Sequence, residues 1–175
     1  MAEQADAENE YAVAWIDQLA SGASAGRGLL FAGNHVESPY KPHGRAKLMV
    51  PFTPPVSALN GLSVRAFNTL YRFAKGRNPR VNTTHYDPFF YPLDGVANWN
   101  RLYGPRGLHQ HQSVIPFDAA HRLIPQLLQV SRDAGQASFL TVLKRFGSLR
   151  SPGILSFARP GYTLTLDFPH RGEKT

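Results

Sequence analysis

The sequence predicts an α+β fold: a mainly antiparallel sheet with helices packed on one face. Three observations carry that expectation. Runs with strand character outnumber runs with helical periodicity. The two helical stretches do not alternate regularly with strands, so parallel crossovers have few candidates. The chain has 175 residues, 42% apolar and 18% charged, which suits one folded unit with its own core.

The elements follow in order. Residues 1–10, MAEQADAENE, read as a flexible polar tail, and residues 11–175 as one domain without an internal repeat or dividing linker. Tyr11 to Asp17 is a short apolar run, expected as a buried strand. The Gly/Ser/Ala loop SGASAGRG leads into a second strand near Gly28 to Ala32. Residues 34–61 are rich in Pro, His, Gly and Ser and are expected to be irregular, with at most a short strand near Leu48 to Phe52. Ser63 to Ala74 has helical spacing, with Ser63 as N-cap, Lys75 in the last turn and Gly76 as the stop. Arg80 to Tyr86 reads as a strand. The long aromatic and Gly/Pro-rich loop after it, Pro92 to Gly107, reads as a mobile cover.

Leu108 to Ile115 alternates as a strand, with Gln110 and Gln112 on one side and His109 and His111 on the other. Asp118 to Ala134 is the second helix, with Pro125 inside its pattern. Ser138 to Phe146, Ile154 to Phe157 and Tyr162 to Phe168 read as strands. In the last, Thr163, Thr165 and Asp167 share one face.

The formal net charge is +7, from cations spread along the chain: Lys41, Arg45 and Lys47; Arg72, Lys75, Arg77 and Arg80; Arg101 and Arg106; Lys144, Arg145 and Arg150. Solvated surface, an anionic ligand and nucleic acid all remain open on that count. The absence of cysteine excludes disulfides, thiolate metal sites and cysteine nucleophiles. No run reaches the length of a membrane span, and the acidic N-terminal stretch is unlike a secretory signal. The expected localisation is cytoplasmic, with peripheral membrane contact left open.

Three chemistries find little support. His109 and His111 could share a metal, but no spacing singles out a third ligand among His85, His121, Glu37 and Asp94. A nucleophile elbow, a Walker loop and a dinucleotide fingerprint are all missing. What remains is a polar strand face: Gln110, Gln112, Lys144, Thr163 and Thr165. Uncharged donors and acceptors beside one cation suit a hydroxylated ligand such as a sugar, against the plainer reading of a sheet face open to water.

Several motifs shift that balance. YAVAWID, FFYPLDGVANWNRLYGPRG, the Q-x-Q of Gln110 and Gln112, SFLTVLKRFG and LSFARPGYTLTLDFP occur in the same order, at plausible spacing, as in a known family. From Tyr11 to about Pro169 the chain resembles the substrate domain of FAD-dependent sugar oxidoreductases of the vanillyl-alcohol-oxidase superfamily. The nearest likeness is to the branch acting on polyprenyl-phosphate-linked ribose, with sugar-lactone oxidases more distant. The resemblance implies hydride transfer from a sugar hydroxyl to a flavin held mainly by a separate domain. It implies substrate contacts from Trp15, Phe90, Gln110, Gln112, Leu140, Val142, Lys144, Phe146, Thr163 and Thr165, with Gln112 and Thr165 also at the flavin. The implied partners are a sugar or polyprenyl-phosphate sugar, a flavin domain in trans and a reductase or epimerase, with no nucleic acid.

Relatives carry flavin-binding sequence ahead of the stretch matched here and a lysine-bearing segment after it. The chain is therefore expected to be a substrate domain whose catalytic lysine lies elsewhere, inactive alone. No metal is expected. The competing expectations are a basic, non-catalytic module for nucleic acid or acidic surfaces, and a metal enzyme built on His109 and His111.

Overall fold

The computed structural model describes residues 2–39, 48–76 and 81–172. Lys41, Arg45, Lys47, Arg77 and Arg80 lie outside the described residues. The strands are β1 (Tyr11–Ile16), β2 (Gly28–Gly33), β3 (Leu48–Met49), β4 (Val96–Ala97), β5 (Leu108–Ile115), β6 (Thr141–Phe146) and β7 (Gly161–Pro169). The α-helices are α1 (Ala2–Glu8), α2 (Gly61–Gly76), α3 (Tyr86–Phe90) and α4 (Phe117–Asp133). The expected α+β class is what the structure shows. Five strands form one sheet in the order β2-β1-β6-β7-β5, and every neighbouring pair is antiparallel. β3 and β4 form a separate two-residue parallel pair.

One face of the sheet is closed by α4. Ala120 and Leu128 pack with Ile16, Ile115, Leu164 and Leu166, and Leu123, Ile124 and Leu127 complete the contact. Pro125 does not interrupt α4. It sits on the exposed side, where water can serve the carbonyl that loses its N–H partner. A second cluster lies at one end of the sheet, formed by Leu19, Leu59, Val64, Tyr103, Ala137 and Phe139. α2 joins this cluster through Val64 and lays Tyr71 on Trp15, ring centroids 5.0 Å apart. Asp17 anchors α2 to the end of β1: it accepts from Asn68 at 2.7 Å and from Arg27 at 2.7 and 2.9 Å.

Gly161 opens β7 at φ +154, and a Cβ there would lie 2.5 Å from the carbonyl oxygen of Ile115. A side chain at this position would push β7 off β5, so glycine permits the strand pair to close.

Several local expectations change. Ala2–Glu8 is helical where a polar tail is expected; its Ala, Glu and Gln residues are good helix formers, and Gln4 bonds Glu8 at 3.0 Å. α2 is capped by Asn60, not Ser63. The Asn60 carboxamide accepts from the Leu62 and Ser63 amides, and Ser63 Oγ accepts from the Asn60 amide, a reciprocal box. The expected strand Arg80 to Tyr86 has no strand over 81–85. His85 instead caps α3 by accepting from the Asp87 amide, and Pro88 fits a first turn that needs no N–H from it. Ile154 to Phe157 is not a strand either, because Ile154 and Leu155 are fully exposed and no element packs on them.

β6 starts later than expected because side chains claim the backbone ahead of it. Gln18 Oε1 accepts from the Ser138 amide, and the Trp15 indole donates to the Phe139 carbonyl. The segment expected as a mobile cover is anchored. Trp99–Tyr103 forms a 3-10 turn, and Tyr103 is buried at 1% exposure in the second cluster.

Candidate functional site

Directly paired residues of a sheet project from the same side. The register therefore sorts the sequence-predicted residues without further assumption. Gln112 pairs with Thr165, Thr165 with Val142, Val142 with Trp15, and Trp15 with Leu29. That is one row across all five strands. The adjacent row runs Val114, Thr163, Lys144, Val13 and Phe31. Gln110 stands opposite Asp167 one step further along, and Phe146 pairs with Gly161 at the other end of the same face. Eight of the ten residues, from Trp15 to Thr165, thus lie on the face opposite α4. With strands about 4.8 Å apart, Gln112 and Trp15 are separated by roughly 14 Å across the row.

The other two lie off these rows. Phe90 sits at the β1 end, edge-on to Tyr11 at 5.0 Å, and Tyr11 is two residues from the Val13 that faces Lys144. Leu140 packs against the second cluster. Trp15 is 6% exposed, and its indole N–H is spent on Phe139, so it serves the core as much as the face.

The two glutamines have defined polarity. Gln110 Nε2 donates to Asp167 Oδ1 at 2.8 Å, and Gln112 Nε2 donates to Thr163 Oγ1 at 3.0 Å. Each amide thus spends an N–H on a buried partner and leaves its carbonyl oxygen available. Two exposed acceptors, two strand positions apart, suit a ligand with neighbouring hydroxyl donors. Lys144 is exposed one row away and makes no ion pair among the described residues. Val142, in the row of Gln112, and Phe146, beyond Lys144, are half-buried and give the face its apolar patches.

Asp167 is the residue that sequence reasoning passes over. It is 1% exposed, and its Oδ2 has no partner among the described residues. Burial pushes its carboxyl above the ordinary carboxylate range, and donation from Gln110 partly opposes that. The Tyr103 phenol beside it is pushed far upward, first by burial and then by the Asp167 charge. Alternation places Asp167 with Thr163 and Thr165 in the sequence. Only strand pairing shows that it lies under Gln110.

His109 and His111 point to the α4 side and are both exposed. The His109 ring meets His170 at 4.5 Å, and His111 Nε2 lies 3.3 Å from Ser113 Oγ. Among the described residues no group of three His, Asp or Glu side chains is placed to hold a metal ion. Several cations serve the fold. Arg27 binds Asp17, Arg101 donates to the Val50 and Pro51 carbonyls, and Arg132 donates to the Gln18 carbonyl. A shallow hollow lined by Ala12, Ala14, Leu30 and Leu143, with Lys144, Arg145 and Tyr162, lies away from both glutamines.

The sheet thus carries α4 on one face and, on the other, a polar surface that exposes Gln110, Gln112 and Lys144 beside the Trp15 end covered by α2. No family model matches the chain. It is similar to decaprenylphosphoryl-beta-D-ribose oxidase of Mycolicibacterium smegmatis, at 28% identity over 174 aligned positions covering 94% of the chain. The chain spans 37% of that relative's length.

Proposed function

We propose that this chain is the substrate-binding part of an FAD-dependent oxidoreductase that oxidises a sugar hydroxyl, the sugar being linked to a polyprenyl phosphate. The observation that carries the reading is the gathering of Gln112, Thr165, Val142, Lys144 and Thr163 on one sheet face, with Gln112 and Lys144 exposed and both glutamine carbonyls left to accept. The likeness to an oxidase of a phosphate-linked ribose supports the same reading.

The residues of this face fit a flat ring system and do not fit a pyrophosphate. Val142 and Phe146 offer half-buried apolar surface, and Gln112 and Thr165 offer hydrogen-bonding groups at its edge. The sequence has no glycine-rich phosphate cradle. Gln112 and Thr165 would therefore touch the isoalloxazine, with the rest of FAD held by other protein. When bound, the flavin supplies the hydride acceptor.

The chain's own groups bind and orient. Gln110 and Gln112 accept from sugar hydroxyls, so the ring is held by its donors and turned one way. Lys144 attracts the anionic phosphate. Phe90 and Phe146 exclude water from the apolar side of the sugar. Held this way, a hydroxyl-bearing carbon meets its acceptor in one orientation, which is where positioning lowers a barrier.

The test is reconstitution. The purified chain is titrated with FAD, then mixed with the flavin-holding part of the relative, a short-chain polyprenylphosphoryl ribose and a redox dye. Dye reduction is expected only when both proteins are present, and should fall with Gln110→Ala plus Gln112→Ala. Tight, stoichiometric FAD binding by the chain alone would sink the divided arrangement. Reduction indifferent to both glutamines would sink the site.

A further inference from the structure

We infer that the exposed flank of α2 docks on an anionic lipid bilayer. This deepens the lipid-sugar reading and rests on it for the purpose of docking; the docking itself is read from the helix. α2 buries only a narrow strip: Val64 at 0% and Asn68 at 1% exposure, with Tyr71 lying on Trp15. Another strip is largely exposed. Leu62 is 80% exposed, Leu70 69% and Phe73 58%, with the exposed Ala66 between them. Positions 62, 66, 70 and 73 are spaced by four, four and three, so they form one stripe along the helix.

Arg65 and Arg72 stand beside that stripe, both exposed, and Lys75 follows in the last turn. The helix GLSVRAFNTLYRFAKG contains no Asp or Glu. Large apolar side chains flanked by cations, with no carboxylate, match a helix that lies in a headgroup layer. The leucines enter the acyl boundary and the arginines meet anionic phosphates. The segment leading to α2 adds exposed Phe52 and Val56. A second copy is a poorer occupant, because a symmetric pairing through α2 would set arginines against arginines. Position gives the contact a use. Tyr71 ties α2 to Trp15, which stands in the same sheet row as Gln112. A docked α2 holds that row beside the lipid surface from which a lipid-linked sugar would come.

The experiment is flotation of the purified chain with phosphatidylcholine vesicles, with and without phosphatidylglycerol and free of any sugar lipid. Failure here is thereby separate from failure of the oxidase reading. Binding is expected only to the phosphatidylglycerol vesicles, and it weakens with added salt. Arg65→Gln and Arg72→Gln should each weaken it about fivefold. Leu62→Ser and Leu70→Ser should each weaken it about tenfold, since a leucine loses most of its transfer energy. All four sites are exposed, and unchanged circular dichroism confirms folding. Three results would overturn the proposal: no vesicle binding, equal binding to both vesicle types, or binding that survives Leu62→Ser with Leu70→Ser. A dimer, or a complex with the flavin-holding protein, that dissolves on those substitutions while vesicles stay unbound would assign the stripe to protein and also overturn it.

Discussion

Gln110 and Asp167 face each other across the β5–β7 pair, and the glutamine amide donates to the buried carboxyl at 2.8 Å. The polar face therefore owes part of its surface chemistry to a group that solvent barely reaches. An acceptor beneath the amide is what turns the Gln110 carbonyl away from Asp167 and leaves it to a ligand.

Burial of that carboxyl should appear as a pH dependence of stability. Its folded pKa is raised above the unfolded value, so the folded state holds the proton more tightly. The resulting penalty is absent at low pH. It grows as pH rises past the ordinary carboxylate value of about 4 and is complete above the folded pKa. Asp167→Asn removes the titration. It keeps an oxygen to accept from Gln110 and places an amide N–H where Oδ2 now lacks a partner. The variant should gain melting temperature over the parent on going from acid to neutral pH, with the two converging in acid. A difference constant across that range would refute the buried-charge account.

Thr163 allows orientation to be separated from folding. Its hydroxyl takes the Gln112 N–H at 3.0 Å, and the residue is fully buried. Thr163→Val keeps the shape and removes the acceptor, while the exposed Gln112 N–H can turn to water. Stability should change by only about 1 kcal/mol. Affinity for a polyprenylphosphoryl ribose, measured by calorimetry in the reconstituted system, should fall several-fold. Unchanged affinity would mean that Gln112 is not held for a ligand.

Lys144 should discriminate by charge. It is exposed, so Lys144→Met is expected to leave the urea midpoint unchanged. Binding of the phosphate-linked sugar should weaken about tenfold at low salt and less at high salt, while the unphosphorylated sugar should bind as before. An equal loss for both ligands would place Lys144 in packing rather than in phosphate attraction.

These residues also show where sequence reading works. Alternation in LHQHQSVI and YTLTLDF assigns each side chain to a strand face, because period two survives any choice of partner strand. Order and spacing of motifs bring Trp15, Val142 and Lys144 into the same discussion. What alternation cannot supply is register. The union of Gln110 with Asp167, and of Gln112 with Thr163, depends on how β5 lies against β7, a choice made by long-range packing. Local competition explains the remaining differences. Asn60 outcompetes Ser63 as a cap by reaching two amides, His85 turns an expected strand into a helix start, and Tyr103 pulls an expected lid into the core.

Gln18 is the place where the fold and this face meet, and it carries the sharpest stability expectation. The side chain is fully buried. Its Nε2 donates to Ser131 Oγ at 2.8 Å and to the Gln136 carbonyl at 3.2 Å, and its Oε1 accepts from the Ser138 amide at 3.2 Å. Ser138 Oγ in turn accepts from the Asp167 amide at 3.1 Å. One amide thus joins the end of β1 to α4 and to the backbone that seats Asp167. Gln18→Leu fills the space but strands the Ser138 N–H in the interior, so destabilisation of about 2–3 kcal/mol is expected by urea titration. Because Ser138 is the link, amide exchange at Asp167 should speed up by more than exchange at Leu164, which lies in the α4 core. Loss below about 0.5 kcal/mol, or equal acceleration at both amides, would show that Gln18 is merely buried and does not support the polar face.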